Sequence, residues 1–364
     1  MKHFIRFFRV VRGLSLFSAF LCLFTAVSTR ASDLKKDEEI IFFPVVAQRV
    51  EKGAAWEAEI QGWVYEPERR KLELELFRKA LGVKKEESAE NDNALFVERA
   101  RTFMVDNERG KTISIRIGDK VYPLGKTDSQ GQVLGRVRFP AGMLKSDRAT
   151  FYAVTATNDQ RIFAGEIHLL DDTGLSVVSD IDDTLKISEL KEKKTLLLNT
   201  FFRPFQPVPG MAAVYQGWMK TAGAKFHYVS ASPRQLYPSL ADFILANDFP
   251  VGTFHLKTFR WKDETFLDFF KSPDSFKLVA IEPLLKRFPN RHFILVGDSG
   301  QRDPEIYSAL ARKHPKQIVR ICIRDLTNET KEAERYRKVF QGLPGDLWKV
   351  FHDPKEIEEL KGLL

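Results

Sequence analysis

After Leu170 the apolar residues change rhythm. Short continuous runs (Leu175 to Ser179, Phe226 to Val229, Phe293 to Val296, Ile318 to Ile323) alternate with stretches whose apolar positions recur at helical spacing, Gly210 to Thr221, Ser275 to Phe288 and Pro304 to His314. A strand made of such a run has no polar face and must be covered on both sides, and the intervening helical stretches are the natural cover. Residues 171–364 are therefore constrained to an open α/β domain, Rossmann-like, with a parallel sheet and crossover helices. Sheets of this kind bind ligands beyond the carboxyl ends of their strands. The residues standing there are Asp180, Ser230, Asp298 and Asp325.

Upstream the pattern is different. From Ile40 to Leu170 the chain alternates apolar and polar residues, as in E-A-E-I-Q-G-W-V-Y, L-E-L-E-L-F and T-I-S-I-R-I-G, with Gly, Asn and Asp between the runs. This predicts a β-rich, sandwich-like domain over residues 32–170, with Lys84 to Asn93 as a solvated loop. Its 23 basic and 23 acidic residues cancel, and no ligand constellation stands out. A binding module and a structural partner are both open readings.

The net charge of +8 invites a nucleic-acid reading, but Lys2, Arg6, Arg9, Arg12 and Arg30 contribute five of those charges in a segment free of acidic residues. Residues 1–31, with an apolar run from Leu14 to Val27 ending among small residues, have the form of a secretory signal peptide. Fourteen helical residues span roughly 21 Å, short of the roughly 30 Å hydrocarbon core, which argues against a permanent anchor. Export to the periplasm or the extracellular space is expected. Of the two cysteines, Cys322 alone would remain, so no intrachain disulfide can form. Nucleic acid is not expected as a partner, and the oligomeric state is left open.

The first apolar run continues as V-S-D-I-D-D-T-L, and the third as V-G-D-S-G-Q-R-D-P. Asp180 and Asp182 thus leave one strand together, while Asp298 and Asp303 flank a glycine-containing loop after another. Carboxylates converging from separate strands repel unless a cation joins them, and Mg²⁺ with oxygen ligands meets that need. A lone Asp-x-Asp usually marks a turn or a helix cap. The conjunction is far more specific: Asp-x-Asp-x-Thr, then a hydroxyl (Ser230), a Lys opening a later helix (Lys277), and Gly-Asp with a further Asp five residues on.

In that order the motifs resemble those of the haloacid dehalogenase superfamily. Within it, L-S-V-V-S-D-I-D-D-T-L-K, F-H-Y-V-S-A-S-P-R-Q-L-Y, F-P-N-R-H-F-I-L-V-G-D-S-G-Q-R-D-P-E-I-Y and I-R-D resemble the catalytic domain of the actin-patch-associated phosphatidate phosphatases, over roughly Gly174 to Asp325. The resemblance implies a phosphatase with a minimal cap, in which Asp180 is the nucleophile and forms an aspartyl-phosphate. Asp182 would protonate the leaving alkoxide and then deprotonate the hydrolytic water. Mg²⁺ would be held by Asp180, the backbone carbonyl of Asp182 and Asp298, with Asp303 behind them. Lys277 and Ser230 would bind the phosphoryl oxygens, and Thr184 and Arg234 are counted with the substrate-binding group. Arg234 departs from the family pattern, which often has an aromatic residue after the proline of the second motif.

The resemblance points to phosphatidate or a related lipid phosphate as substrate. Soluble or polymeric esters are the alternative, as is a binding protein with a vestigial phosphatase half. Two aromatic-rich stretches, Leu196 to Phe205 and Trp261 to Phe276, have the composition of interfacial elements and equally of core, so peripheral membrane contact is an open expectation.

Overall fold

The computed structural model describes residues 31–67, 71–83, 92–144, 146–189, 192–258 and 275–360. The signal segment, most of the Lys84–Asn93 loop and most of the Trp261–Phe276 stretch lie outside the described residues. In the first half nine strands occur: β1 (Glu39–Phe43), β2 (Val45–Val50), β3 (Ala55–Pro67), β4 (Val105–Asn107), β5 (Thr112–Ile117), β6 (Lys120–Lys126), β7 (Gln132–Pro140), β8 (Arg148–Ala153) and β9 (Ala164–Leu170). Period-2 burial is clearest in β7, whose even-numbered residues are exposed or half-buried while Val133, Gly135, Val137 and Phe139 turn inward.

The strands form one continuous hydrogen-bonded sheet in the order β1-β3-β2-β9-β8-β5-β6, with β4 and β7 also paired to β3. Inward side chains of β1, β2, β3, β5, β6, β7, β8 and β9 share one hydrophobic core, so the sheet curls around that core instead of lying flat. Here the 13-residue β3 pairs with β1 and β2 on one flank and with β7 and β4 on the other. β6 and β7 come close as well, since a Cβ at Gly135 would meet Leu124 Cα at 2.6 Å.

Two helices interrupt this half, α1 (Lys71–Ala80) and α2 (Asp92–Arg101). The L-E-L-E-L-F run, expected as a strand, is therefore helical. Leu and Glu are strong helix formers, and Leu74, Phe77 and Leu81 recur at intervals of three and four, placing one face against α2.

The second half contains β10 (Leu175–Ser179), β11 (Lys186–Ile187), α3 (Lys193–Phe201), β12 (Gln206–Pro207), α4 (Met211–Ala222), β13 (Lys225–Pro233), α5 (Tyr237–Ala246), β14 (Gly252–Lys257), α6 (Ser275–Arg287), β15 (His292–Asp298), α7 (Asp303–Lys313), β16 (Ile318–Arg324), α8 (Glu334–Val339) and β17 (Trp348–Phe351). Six strands make a parallel sheet ordered β14-β13-β10-β15-β16-β17; its four central strands are the expected apolar runs, and β14 and β17 at the edges are additional. Successive side chains feed opposite faces: Val177, Tyr228, Ile294 and Val296 belong to the core under α4 and α5, while Val178, Val229, Phe293 and Leu295 belong to the core under α6 and α7. The strand order reverses direction at β10, so the crevice at its carboxyl end is the expected ligand site.

The described residues fold as one compact unit. Val46 and Leu170 share the core of Leu284 and Leu285, and Phe43 meets Tyr237 edge-on at 5.2 Å between ring centres. Arg287 of α6 donates to the Gln48 side chain (2.9 Å) and to the Glu57 carbonyl (3.0 Å).

Candidate active site

The loop leaving β10 is tight. Leu185 and Lys186 both donate their backbone N–H to Ile181 O, at 2.9 and 3.0 Å, and Asp183 N–H donates to Lys186 O at 2.7 Å. Closing it puts Asp183 in the left-handed region at φ 59°, tolerable for Asp because its side chain binds locally. Asp183 Oδ1 accepts from the N–H of Ser188 (2.7 Å) and Glu189 (2.9 Å). Asp180 and Asp182 thereby emerge from one turn facing different neighbours.

Asp180 is buried beside the end of β15 and the start of α6 and α7. Lys277 Nζ, in the first turn of α6, lies 2.8 Å from Asp180 Oδ1 and also bonds Asp303 Oδ1. Asp303 Oδ2 accepts from Asp298 N–H at 3.1 Å, and Asp298 Oδ1 accepts from the N–H of Gly300 (2.6 Å) and Gln301 (3.2 Å). One carboxylate oxygen from each of Asp180, Asp298 and Asp303 falls within 4.8 Å of the others. Asp180 Oδ2 and Asp298 Oδ2 are buried with no hydrogen-bond partner among the described residues. Three converging carboxylates with two oxygens unsatisfied fit a hard divalent cation.

The charges respond to this crowding. Burial pushes the Asp180 carboxyl well above the carboxylate range, Lys277 opposes that, and the neighbouring aspartates add to it. Burial and Asp303 raise Asp298 to about 7. Burial disfavours the Lys277 ammonium, but Asp180, Asp303 and Asp298 outweigh it and hold the lysine charged.

The Asp182 carboxylate lies outside this cluster. Its Oδ1 pairs with Lys186 Nζ (2.8 Å) and accepts from Ser188 Oγ (2.8 Å), and its Oδ2 accepts from Ser230 Oγ and Ser232 Oγ, both at 2.7 Å. Burial raises its pKa, yet Lys186 and the serine hydroxyls reverse the sign and leave it well below the usual range. Ser230, expected to face a phosphoryl oxygen, spends its proton on Asp182. Thr184 is fully buried and its hydroxyl has no hydrogen-bond partner among the described residues. Arg234, at the end of β13, sets its guanidinium 5.5 Å from the Trp63 ring of β3.

Lys186, Ser188 and Ser232 were not among the site residues expected from the sequence. Ser232 could have been, because residues two apart on a strand share a face and Ser230 was already marked. Lys186 stands four residues beyond Asp182 with nothing in its spacing to separate it from a solvated lysine. Asp325, past β16, accepts from Thr327 N–H (2.9 Å) and Ser299 Oγ (3.3 Å) and lies 3.2 Å from His352 Nε2, tying together the loops after β15, β16 and β17.

The stretch Leu196 to Phe205 packs inward. Leu196, Leu197, Leu198, Phe201 and Phe202 are buried, and Phe201 meets Phe77 and Phe103 at 5.4 Å while Phe202 stacks on Phe96 at 4.7 Å. Core, the other reading of its composition, is what these rings form, because α1 and α2 cover them.

Residues 175–325, the segment holding every carboxylate of the cluster, match the family model for the catalytic domain of phosphatidate phosphatase APP1. The chain is 31% identical over 219 residues to phosphatidate phosphatase APP1 of Saccharomyces cerevisiae, covering 59% of this chain and 37% of that protein. It is 29% identical over 178 residues to an uncharacterized protein of Schizosaccharomyces pombe, covering 46% of this chain and 28% of the other. The chain thus spans well under half the length of these relatives. A crystal structure of a β-phosphoglucomutase from Thermotoga maritima is similar at 14% identity and TM-score 0.29, over 50% of this chain and 96% of that one. The matched segment runs from the first residue of β10 to the residue after β16.

Proposed function

We propose that this chain is a divalent-cation-dependent phosphomonoesterase, most specifically for phosphatidate or a related lipid phosphate, exported by its amino-terminal segment. The observation that carries the reading is Lys277 bridging Asp180 and Asp303 beside Asp298, within an APP1-like catalytic domain. A phosphate monoester repels an anionic nucleophile unless its charge is offset and its phosphorus is held in line. Asp180, Asp298 and Asp303 would hold Mg²⁺, which supplies positive charge against both carboxylate and phosphoryl oxygens. Lys277 holds a proton at Nζ between two carboxylates and is placed to transfer one of its hydrogen bonds to a phosphoryl oxygen.

Asp180 would attack phosphorus, the ester P–O bond would break, and the aspartyl-phosphate would then be hydrolysed by water. Asp182 is held ionised by its four donors, and taking a proton from that water requires one of them to give way, because a carboxylate so engaged is a weaker base than a free one. Protonating a leaving alkoxide would require it first to exchange one of those donors for a proton. The lipid substrate is drawn from the name of the yeast relative.

The test is phosphate release from phosphatidate micelles, lysophosphatidate, nucleotides, phosphopeptides and an aryl phosphate, with Mg²⁺ and with a chelator. Hydrolysis of phosphatidate that needs Mg²⁺ and is abolished in Asp180→Asn is the expected outcome. Turnover surviving in Asp180→Asn would falsify the mechanism, and turnover of soluble esters with phosphatidate untouched would remove the lipid assignment alone.

A further inference from the structure

Lys186 is 2% exposed, an unusual place for a lysine that is not a ligand of the acidic cluster. Its ammonium lies 2.8 Å from Asp182 Oδ1, donates to Ser188 Oγ at 2.6 Å, and sits 4.7 Å from the Phe205 ring. That ring is also met by the Arg99 guanidinium, at 3.7 Å. Arg99 belongs to α2 in the first half of the chain, is 5% exposed, and donates to the carbonyls of Thr200 (2.8 Å) and Arg203 (2.9 Å). A column of contacts therefore runs from α2 through Phe205 and Lys186 to the second aspartate of the catalytic motif. A hydrogen-bonded ammonium fixes a carboxylate rotamer more firmly than hydroxyls alone, and cation–π contacts strengthen when desolvated.

We propose that Lys186 is the positioning residue that aims Asp182 at the hydrolytic water, and that Phe205 and Arg99 hold Lys186 in place, so that α2 completes the catalytic site. The inference rests on the phosphatase reading and adds a task for the first half of the chain. An aryl phosphate separates the two steps. Asp180 attacks phosphorus and the aryloxide leaves unaided, because it is a good leaving group. Water then attacks phosphorus, Asp182 takes the water proton, the P–O bond to Asp180 breaks, and inorganic phosphate is released. Misaiming Asp182 slows the second step and spares the first.

The experiment mixes full-length protein, Mg²⁺ and an aryl phosphate, quenches in acid, and reads covalent phosphate by intact mass alongside kcat and KM. In Lys186→Met, phospho-enzyme is expected to accumulate while kcat falls about tenfold or more, with Lys186→Arg restoring most of the rate. Phe205→Leu, which keeps apolar bulk and loses the ring, should shift both readouts the same way by a smaller factor. Because Phe205 acts through Lys186, the double variant Lys186→Met/Phe205→Leu should be no slower than Lys186→Met. Wild-type kcat without phospho-enzyme accumulation in a folded Lys186→Met overturns the proposal. Should that variant not fold, an unshifted Phe205→Leu overturns it instead. Activity in Asp180→Asn, run in parallel, would count against the phosphatase mechanism and not against the positioning role.

Discussion

A methyl group on Gly297 would sit 2.1 Å from Asp303 Oδ2 and 2.7 Å from its Cβ. Neither atom belongs to a flexible chain end, because Asp303 opens α7 and is held by Lys277 and by Asp298 N–H. Gly297→Ala is expected to displace Asp303 and lower phosphate release by roughly tenfold or more, the scale of a misplaced charged group in an active site. Unchanged kcat would refute this. Lys277→Met removes the cation shared by two buried carboxylates and should cost about 3–5 kcal/mol of stability by urea unfolding, the usual cost of leaving a buried charge unpaired. The acidic positions were legible because a residue following an apolar run occupies a fixed place on an open α/β sheet. The partners of Asp182 were not, since hydroxyls and an ammonium reach it from the turn and from β13, and only their coordinates tell a ligand from a neighbour.

Helix α2 illustrates what periodicity misses at the scale of an element. Its hydrophobic side is short, yet Phe96 is 1% exposed and stacked on Phe202 with an interplanar angle of 7°. Phe96→Ala should lower stability by about 3–5 kcal/mol, the range for an aromatic removed from a packed core, read as the shift of the urea midpoint. A loss below about 1 kcal/mol would mean that α2 is only loosely docked. At the amino end of the parallel sheet, His227 on β13 shares hydrogen bonds with Ser176 Oγ (3.1 Å) and Thr253 Oγ1 (2.8 Å). Burial, aided by His255 and Arg291, depresses its pKa well below the ordinary 6.5. The unfolded chain therefore binds a proton that the folded one refuses, so the stability contribution is full above about pH 6.5 and is lost progressively as the pH falls below it. Wild-type stability should decline more steeply than that of His227→Gln between pH 6.5 and 5.5, by up to about 1.4 kcal/mol per pH unit. Parallel pH profiles would disprove the assignment.

For the whole molecule, the two halves are joined by apolar contact and by polar links. Val46 and Leu170 enter the core beneath α6, Arg287 reaches across to Gln48 and Glu57, and α1–α2 cover Phe201 and Phe202. A fragment beginning at residue 171 would expose those rings and the face that receives Val46. It should be recovered as soluble aggregate, with co-expression of residues 31–170 restoring a monodisperse product in size-exclusion chromatography. A monomeric, cooperatively melting fragment would show that the second half folds alone. Among the described residues no helix is long and apolar enough to cross a membrane.

By itself the sequence determined the parallel sheet, its strand ends and the acidic residues on them, because buried strands and crossover helices write strong local patterns and strand ends are places in a chain. It also determined the β-rich character of the first half. The tertiary structure alone decided that the first half is one continuous sheet with a helical pair inserted, that the pair packs on the aromatic stretch after Leu196, and that Asp182 is held by Lys186 and three serines. The sheet pairing, the helix packing and the reach of Ser230 and Ser232 to Asp182 depend on contacts between residues many tens of positions apart, which leave no period in the sequence, while Lys186 and Ser188, four and six residues beyond Asp182, are brought to it by the shape of the turn.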